Sequence, residues 1–390
     1  MKIFSSSKKE DELFLVFDLG SASVRGALFT VNEKKVPNIL NLFTEPIKLK
    51  NELNFEEFFQ ATLTALDIVA GKVFLSKMGA PKKIFYILSS AWFASQIRNV
   101  SYKSDKEFVF DEKMADSLIL KEIENFTEEY HSIHSEFKDM SPVELRNTKI
   151  LLNGYVVEKP AKQKAKSVEM SIFVSLSSDI FLKKVEEVVS KYFNVKYSKF
   201  SSFVMASFAV VRNMFVAQED FLLVDISGEV TDISMIKKDV LTSSISFPFG
   251  VNFIIRNIAQ NFNCSMYHAK SLFSLYKDKH ADEETTRRLD FLMTALSKDW
   301  LRKFQDSLTN FSNDISIPST IFLTVEKDFA DLFTETIKSD QFHQYTLAES
   351  KFKVIFMGTQ ALHGIASYEN STQRDPFITI DCIYISNFLS

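Results

Sequence analysis

Two stretches of the chain carry the same chemistry: an apolar run, an aspartate, a turn of small polar residues and a second apolar run. The first is Phe14-Leu15-Val16-Phe17-Asp18-Leu19-Gly20-Ser21-Ala22-Ser23-Val24-Arg25-Gly26-Ala27-Leu28-Phe29, the second Leu223-Val224-Asp225-Ile226-Ser227-Gly228-Glu229-Val230-Thr231-Asp232-Ile233-Ser234. Backbone N–H groups at Gly20-Ser21 and Ser227-Gly228 can converge on phosphate oxygens, because small residues let the main chain come close. Asp18 and Asp225 offer the hard oxygen ligands that suit Mg²⁺ held through water. One such stretch alone reads as a solvated Asp-Gly turn. The same order twice favours a phosphate site.

Each stretch needs two strands joined by a tight turn. The spacing predicts strands over 13–18 and 23–31, a third over Val36 to Leu49, a helix over Asn54 to Met78 and a buried strand at Ile84-Phe85-Tyr86-Ile87-Leu88. A charged helix from Asp111 to about His131 and strands at Lys149–Val157 and Val168–Leu176 then read as an inserted module with a basic tip, Lys159 to Lys166. Helix 178–193, strand 195–201 and helix 203–217 resume the first lobe. Strands 221–225, 231–237 and 240–247 repeat the opening meander, followed by helices from Asn252, Met266 and Thr285 and a strand at Thr320–Thr324. Gly358–Tyr368 reads as a helix, and Phe377–Ile385 alternates with the period of a strand. No Pro/Gly/Ser-rich linker divides the halves. The expected domains are a disordered 1–12, a first lobe of 13–94 with 177–218, an insert of 95–176, and a second lobe of 219–390.

Composition narrows the classes. At 390 residues the chain suits two or more lobes, and 46% hydrophobic with 25% charged residues is the balance of a soluble globular protein. A net charge of -4 gives no basic face for nucleic acid. Two cysteines are too few for a disulfide framework or a thiolate metal site and suit the cytoplasm. The polar N-terminus lacks the apolar core of a signal peptide, and no run approaches the 18 or so apolar residues of a membrane span. Nine glycines make any phosphate loop a lean one. His131 and His134 read as a solvated face rather than a metal site, Ser89-Ser90 lacks the pattern of a nucleophile elbow, and Trp92 and Phe93 read as core.

The paired Asp turns, each opening a meander, resemble those of the actin-fold ATPases, and the insert resembles that of the bacterial cell-division protein FtsA and its pilus relative PilM. The resemblance runs from about Leu13 to Ser367. It implies a duplicated actin-like (ribonuclease-H-like) α/β fold with two lobes around a cleft. It also implies ATP and Mg²⁺ as cofactors, with Asp18, Gly20, Ser21, Asp225, Ser227, Gly228 and Thr231 around the nucleotide and the two aspartates on the metal.

This sequence departs from the pattern in informative places. The second turn should hold three glycines and two threonines, and Glu229 puts an acid where phosphate would approach. The helix that offers Ala-Glu and then Lys to the nucleoside reads Ala269-Lys270-Ser271-Leu272-Phe273. The later glycine-rich turn falls at Leu323-Thr324-Val325-Glu326-Lys327-Asp328, with Phe356 to Gly364 as a rival placement; the first is preferred because the long helix leads into it. The reading is a scaffold with weak or lost ATP binding.

By resemblance, FtsA-like proteins form filaments, bind the tail of the tubulin-like FtsZ and reach the membrane through a C-terminal helix, whereas PilM-like proteins bind a membrane protein's cytoplasmic tail. The expected function is a cytoplasmic FtsA-like division scaffold, peripheral to the inner membrane through a partner. The alternatives are a PilM-like pilus scaffold, an active ATPase or kinase of the same fold, and a chaperone-type ATPase, disfavoured because no substrate domain follows the second lobe.

Overall fold

The computed structural model describes residues 12–48, 54–133, 139–157, 159–311, 317–339, 351–369 and 372–389. The expected disorder of the N-terminus and the His131–His134 pair lie outside the described residues and side chains.

The chain opens with β1 (Leu13–Leu19), β2 (Ser23–Val31) and β3 (Pro37–Pro46), then α1 (Phe55–Leu75) and β4 (Lys83–Leu88). The insert follows as β5 (Ala94–Val109), α2 (Glu112–Ile133), β6 (Met140–Leu152), β7 (Tyr155–Val156) and β8 (Lys164–Ser178). Next come α3 (Asp179–Ser190), β9 (Ser198–Ser202), α4 (Phe203–Met214), β10 (Phe221–Ile226), β11 (Thr231–Lys237) and β12 (Val240–Phe247). Helices α5 (Val251–Asn261), α6 (Met266–Lys277) and α7 (Glu283–Asn310) lead to β13 (Thr320–Val325), a 3-10 turn (Lys327–Phe329), α8 (Ala330–Ser339) and β14 (Lys353–Phe356). The chain closes with β15 (Ser367–Tyr368), α9 (Pro376–Tyr384) and a π-helical turn (Ile385–Leu389).

Two sheets repeat one plan. The first runs β15-β3-β2-β1-β4-β9 and the second β12-β11-β10-β13-β14. In each, an antiparallel meander is extended on its first strand by two parallel strands. The first strands are buried along their length, β1 from its second residue and β10 throughout, as strands covered on both faces must be. The insert is a third, four-stranded sheet, β5-β8-β6-β7, whose core holds Phe110, Phe126, Val168 and Met170.

Helix α1 alone, among the described residues, is long and apolar enough to cross a bilayer. Its apolar positions are instead spent in the protein: Phe58, Phe59, Leu63, Leu66, Val69 and Val73 are buried in the first core. Trp92 stacks between Phe58 and Phe181, with centroids 4.8 and 4.3 Å away, so the residues expected in the core are there.

Three sequence expectations are corrected at the C-terminal end. Phe377–Ile385, read as a strand, is helical. Asp375 accepts the Ile378 N–H at 3.1 Å as N-cap, and Pro376 fits the first turn, where its missing N–H costs nothing. Every side chain from Phe377 to Tyr384 is buried, so the helix has no polar face and its β-branched residues mimic a strand. Gly358–Tyr368, read as a helix, consists of turns ending in β15. The second lobe does not extend to 390: β15 pairs with β3, and α9 packs on α4 and β1 in the first core.

Candidate functional site

The two Asp hairpins face each other where the carboxyl ends of β1 and β10 meet, the place at which open α/β sheets bind ligands. Their turns touch. Ser21 Oγ lies 2.8 Å from Ser227 Oγ, the Glu229 N–H donates to Ser21 Oγ at 2.9 Å, and Asn252 Nδ2 donates to the Ser21 carbonyl at 3.2 Å. Gly228 permits this approach: a Cβ there would overlap Ala22 N and the Ser21 carbonyl. Gly20, Ser21, Ser227 and Gly228 thus converge as the sequence predicts, around a cavity of about 10 Å³. That volume holds about one water molecule.

The aspartates are equally committed. Asp18 is fully buried, and Arg25, its cross-strand partner, donates Nη1 to Oδ2 at 2.7 Å. The same guanidinium places Nε 3.0 Å from Asp375 and Nη2 3.9 Å from Glu326, and stacks 4.6 Å above the Phe377 ring. One cation therefore joins the first hairpin, the turn after β13 in the second lobe and the start of α9. Burial, the largest influence, pushes the Asp18 carboxyl up to about 6 against the pull of Arg25, with Asp375 adding to the rise. Burial would lower the Arg25 pKa, but Asp375, Asp18 and Glu326 together raise it. Asp225 and Asp381 have, among the described residues, no hydrogen-bond partner on either oxygen. Burial first, then neighbouring carboxylates, Asp232 for Asp225 and Asp18 for Asp381, raise both well above the usual range.

Other predicted positions serve the packing. Thr231 donates Oγ1 to the Phe249 carbonyl at 2.6 Å and accepts the Trp300 indole N–H at 3.0 Å, so it faces the second core. Glu229 does not point at the phosphate space. Its carboxylate turns to α5, where it accepts from Asn252 Nδ2 at 2.9 Å and from both terminal nitrogens of Arg256. The expected charge repulsion is replaced by a steric fact, the contact between the turns.

The helix that the resemblance assigns to the nucleoside packs on the turn after β13. Phe273 of α6 stacks on Phe329 after β13 at 4.3 Å, and Lys277 bridges to Asp328 at 2.6 Å. The space between the turns, about 10 Å³, is too small for a phosphate group or for Mg²⁺ with its several waters.

Sequence reasoning missed Arg25, Ser90, Glu326, Asp375 and Asp381. Ser90, in the turn after the first-lobe strand β4, donates to Asp232 of the second lobe, which also accepts from Ser246. Burial lifts the Asp232 carboxyl to about 6, against both hydroxyls. A usable signal existed for Arg25: an acid and a base flanking a short turn become a cross-strand pair once the strands join. In the insert, Glu144 of β6 accepts from Ser201, Ser202 and Tyr384, tying the module to β9, the start of α4 and α9.

No protein-family model matches the sequence, and no curated protein matches it. Solved structures do, and they define the class: this is a duplicated actin-like fold. The chain is similar to a PilM-PilN type IV pilus biogenesis complex, at 14% identity and a TM-score of 0.61, covering 95% of this chain and 97% of that one. It also matches a Bacteroides thetaiotaomicron protein with actin-like ATPase fold (10% identity, TM-score 0.43, 92% and 94% covered). A third match is the ethanolamine utilization protein EutJ of Carboxydothermus hydrogenoformans (10% identity, TM-score 0.42, 96% and 89% covered).

Proposed function

We propose that this chain is a nucleotide-independent actin-fold scaffold of the PilM-like kind, which holds the cytoplasmic tail of a membrane protein and works at the inner membrane through that partner. The observation that carries the reading is the Arg25 clasp beneath the touching Ser21 and Ser227 turns. Arg25 holds Asp18, the carboxylate that the resemblance assigns to Mg²⁺, and the two turns meet each other, so their closure needs no ligand. The likeness to a PilM-PilN complex supports a partner-binding role and ranks the pilus-type scaffold ahead of the FtsA-like one with an FtsZ partner. The actin-fold ATPase or kinase reading would need an open phosphate space and ranks last.

Thermal unfolding with and without millimolar Mg-ATP tests this, because a ligand held only by the native state raises stability by mass action. The expected result is no shift. An upward shift that disappears in both Asp18→Ala and Asp225→Ala would overturn the reading and restore a nucleotide-controlled ATPase.

A further inference from the structure

The clasp sorts charge in a way that leaves a second site beside it. Two neighbouring acid-base pairs in the sequence, Glu326-Lys327 and Arg374-Asp375, flank the turn after β13 and the start of α9. In both, the acid faces inward to Arg25. The two bases are exposed and line a crevice of about 590 Å³ with Val354, Phe356, Gln360 and Pro376. Neither Lys327 nor Arg374 has an ion-pair partner among the described residues, and Arg374 is steadied 5.4 Å from the Tyr368 ring.

One wall of the crevice is β14, an edge strand bonded, among the described residues, only to β13. Lys353 and Met357 donate their N–H groups toward the β13 side. By the alternation of a strand, Val354 and Phe356 turn theirs outward, into the crevice. Backbone donors and two cations, all unpaired among the described residues, thus share one surface with an apolar floor. An extended chain can satisfy all three: its main chain pairs with the edge, while alternate side chains reach the floor and the cations.

We infer that this crevice is a docking groove for an extended acidic segment of a partner protein, added as a strand to β14. The inference rests on the scaffold reading and supplies the chemistry of the segment bound: carboxylates for Lys327 and Arg374, apolar residues for Val354 and Phe356. A small anion would use the cations but leave the strand edge unpaired. A second copy would need a cation-complementary edge, whereas β14 carries Lys353 on its own strand.

The test uses the full chain and fluorescein-labelled peptides of about ten residues, one alternating valine and glutamate, one alternating valine and lysine. Fluorescence anisotropy should show the Val-Glu peptide binding and the Val-Lys peptide not. Affinity should fall at least about tenfold in Lys327→Glu/Arg374→Glu, and by a similar factor between about 50 and about 500 mM salt. Val354→Pro, which removes an outward N–H from an edge strand that tolerates proline, should weaken binding while the thermal midpoint is kept.

Equal binding to the parent and the double variant would overturn the groove while leaving the scaffold reading intact. No binding of the Val-Glu peptide would also overturn it, and the scaffold reading would stand or fall separately on the Mg-ATP measurement. Full competition by inorganic phosphate with no effect of Val354→Pro would overturn strand addition in favour of a small-anion site. A doubled mass in light scattering, lost in Val354→Pro, would assign the edge to a second copy instead.

Discussion

Ser21 Oγ and Ser227 Oγ, 206 positions apart in the sequence, lie 2.8 Å from each other at the junction of the two lobes. Each belongs to a turn that in an open cleft would present its backbone to a phosphate. Here each turn is the other's ligand.

That closeness depends on a missing side chain. Gly228→Ala places a methyl group against the Ser21–Ala22 backbone. It should destabilise the protein by about 1–3 kcal/mol, as overpacking does. Gly71→Ala, in the middle of α1 with only ordinary contacts to Tyr192, should stabilise it by about 0.5–1 kcal/mol. Urea unfolding of the two variants should therefore move in opposite directions, and equal midpoints would mean the turns do not touch in solution.

Arg25 is, among the described residues, the only cation bonded to Asp18, and it stands between Asp375 and Glu326. Arg25→Met leaves buried acid without its partner, and the expected cost is about 3–5 kcal/mol. Adding Asp18→Asn removes much of the orphaned charge. The double variant should regain a clear part of that loss, and strict additivity of the two single changes would argue against the clasp.

Asp232 gives a pH signature. Its folded-state pKa is about 6 against an ordinary 3.8, so between these values the native state keeps a proton that the unfolded chain has lost. The stability this contributes is fully present below the lower value and is lost as pH rises through about 6. From pH 7 to pH 5 the group alone should add about 1.3 kcal/mol. In Asp232→Asn that increment should vanish from the difference between urea unfolding at the two pH values; an unchanged difference would place the titration elsewhere.

Glu229→Gly restores a glycine to the second turn, and if charge repulsion were the obstacle it should restore nucleotide binding. The carboxylate is held by Asn252 and Arg256 instead. The substitution should create no binding of a fluorescent ATP analogue, and should cost about 3 kcal/mol by leaving Arg256 without its acid.

Much of the architecture was legible in the chain. The strand-Asp-turn-strand stretches announced two hairpins because an apolar run broken by an acid and small residues has few other ways to fold, and their repetition announced the duplicated fold. The long amphipathic α7 and the inserted strand-helix-strand-strand module were legible for the same local reason: side chains three and four apart share a helix face, and alternate ones share a strand face. Where burial is complete, this signal fails. α9 is apolar on every side, so its helical period is invisible, and only the Asp375-Pro376 start marks it.

The site itself was decided by tertiary structure. The sequence supplied Asp18, Ser21, Asp225 and Ser227 as candidates, but not whether the space between them is open. That depends on Gly228 meeting Ala22, on Arg25 choosing Asp375 and Glu326 from another lobe and the far end of the chain, and on Phe273 meeting Phe329. Such contacts join residues tens to hundreds of positions apart, and no local periodicity encodes them. Composition and spacing determined the two hairpins and most of the elements around them; the packing of one lobe on the other determined that the hairpin turns touch and that Arg25 ties them to the turn after β13 and the start of α9.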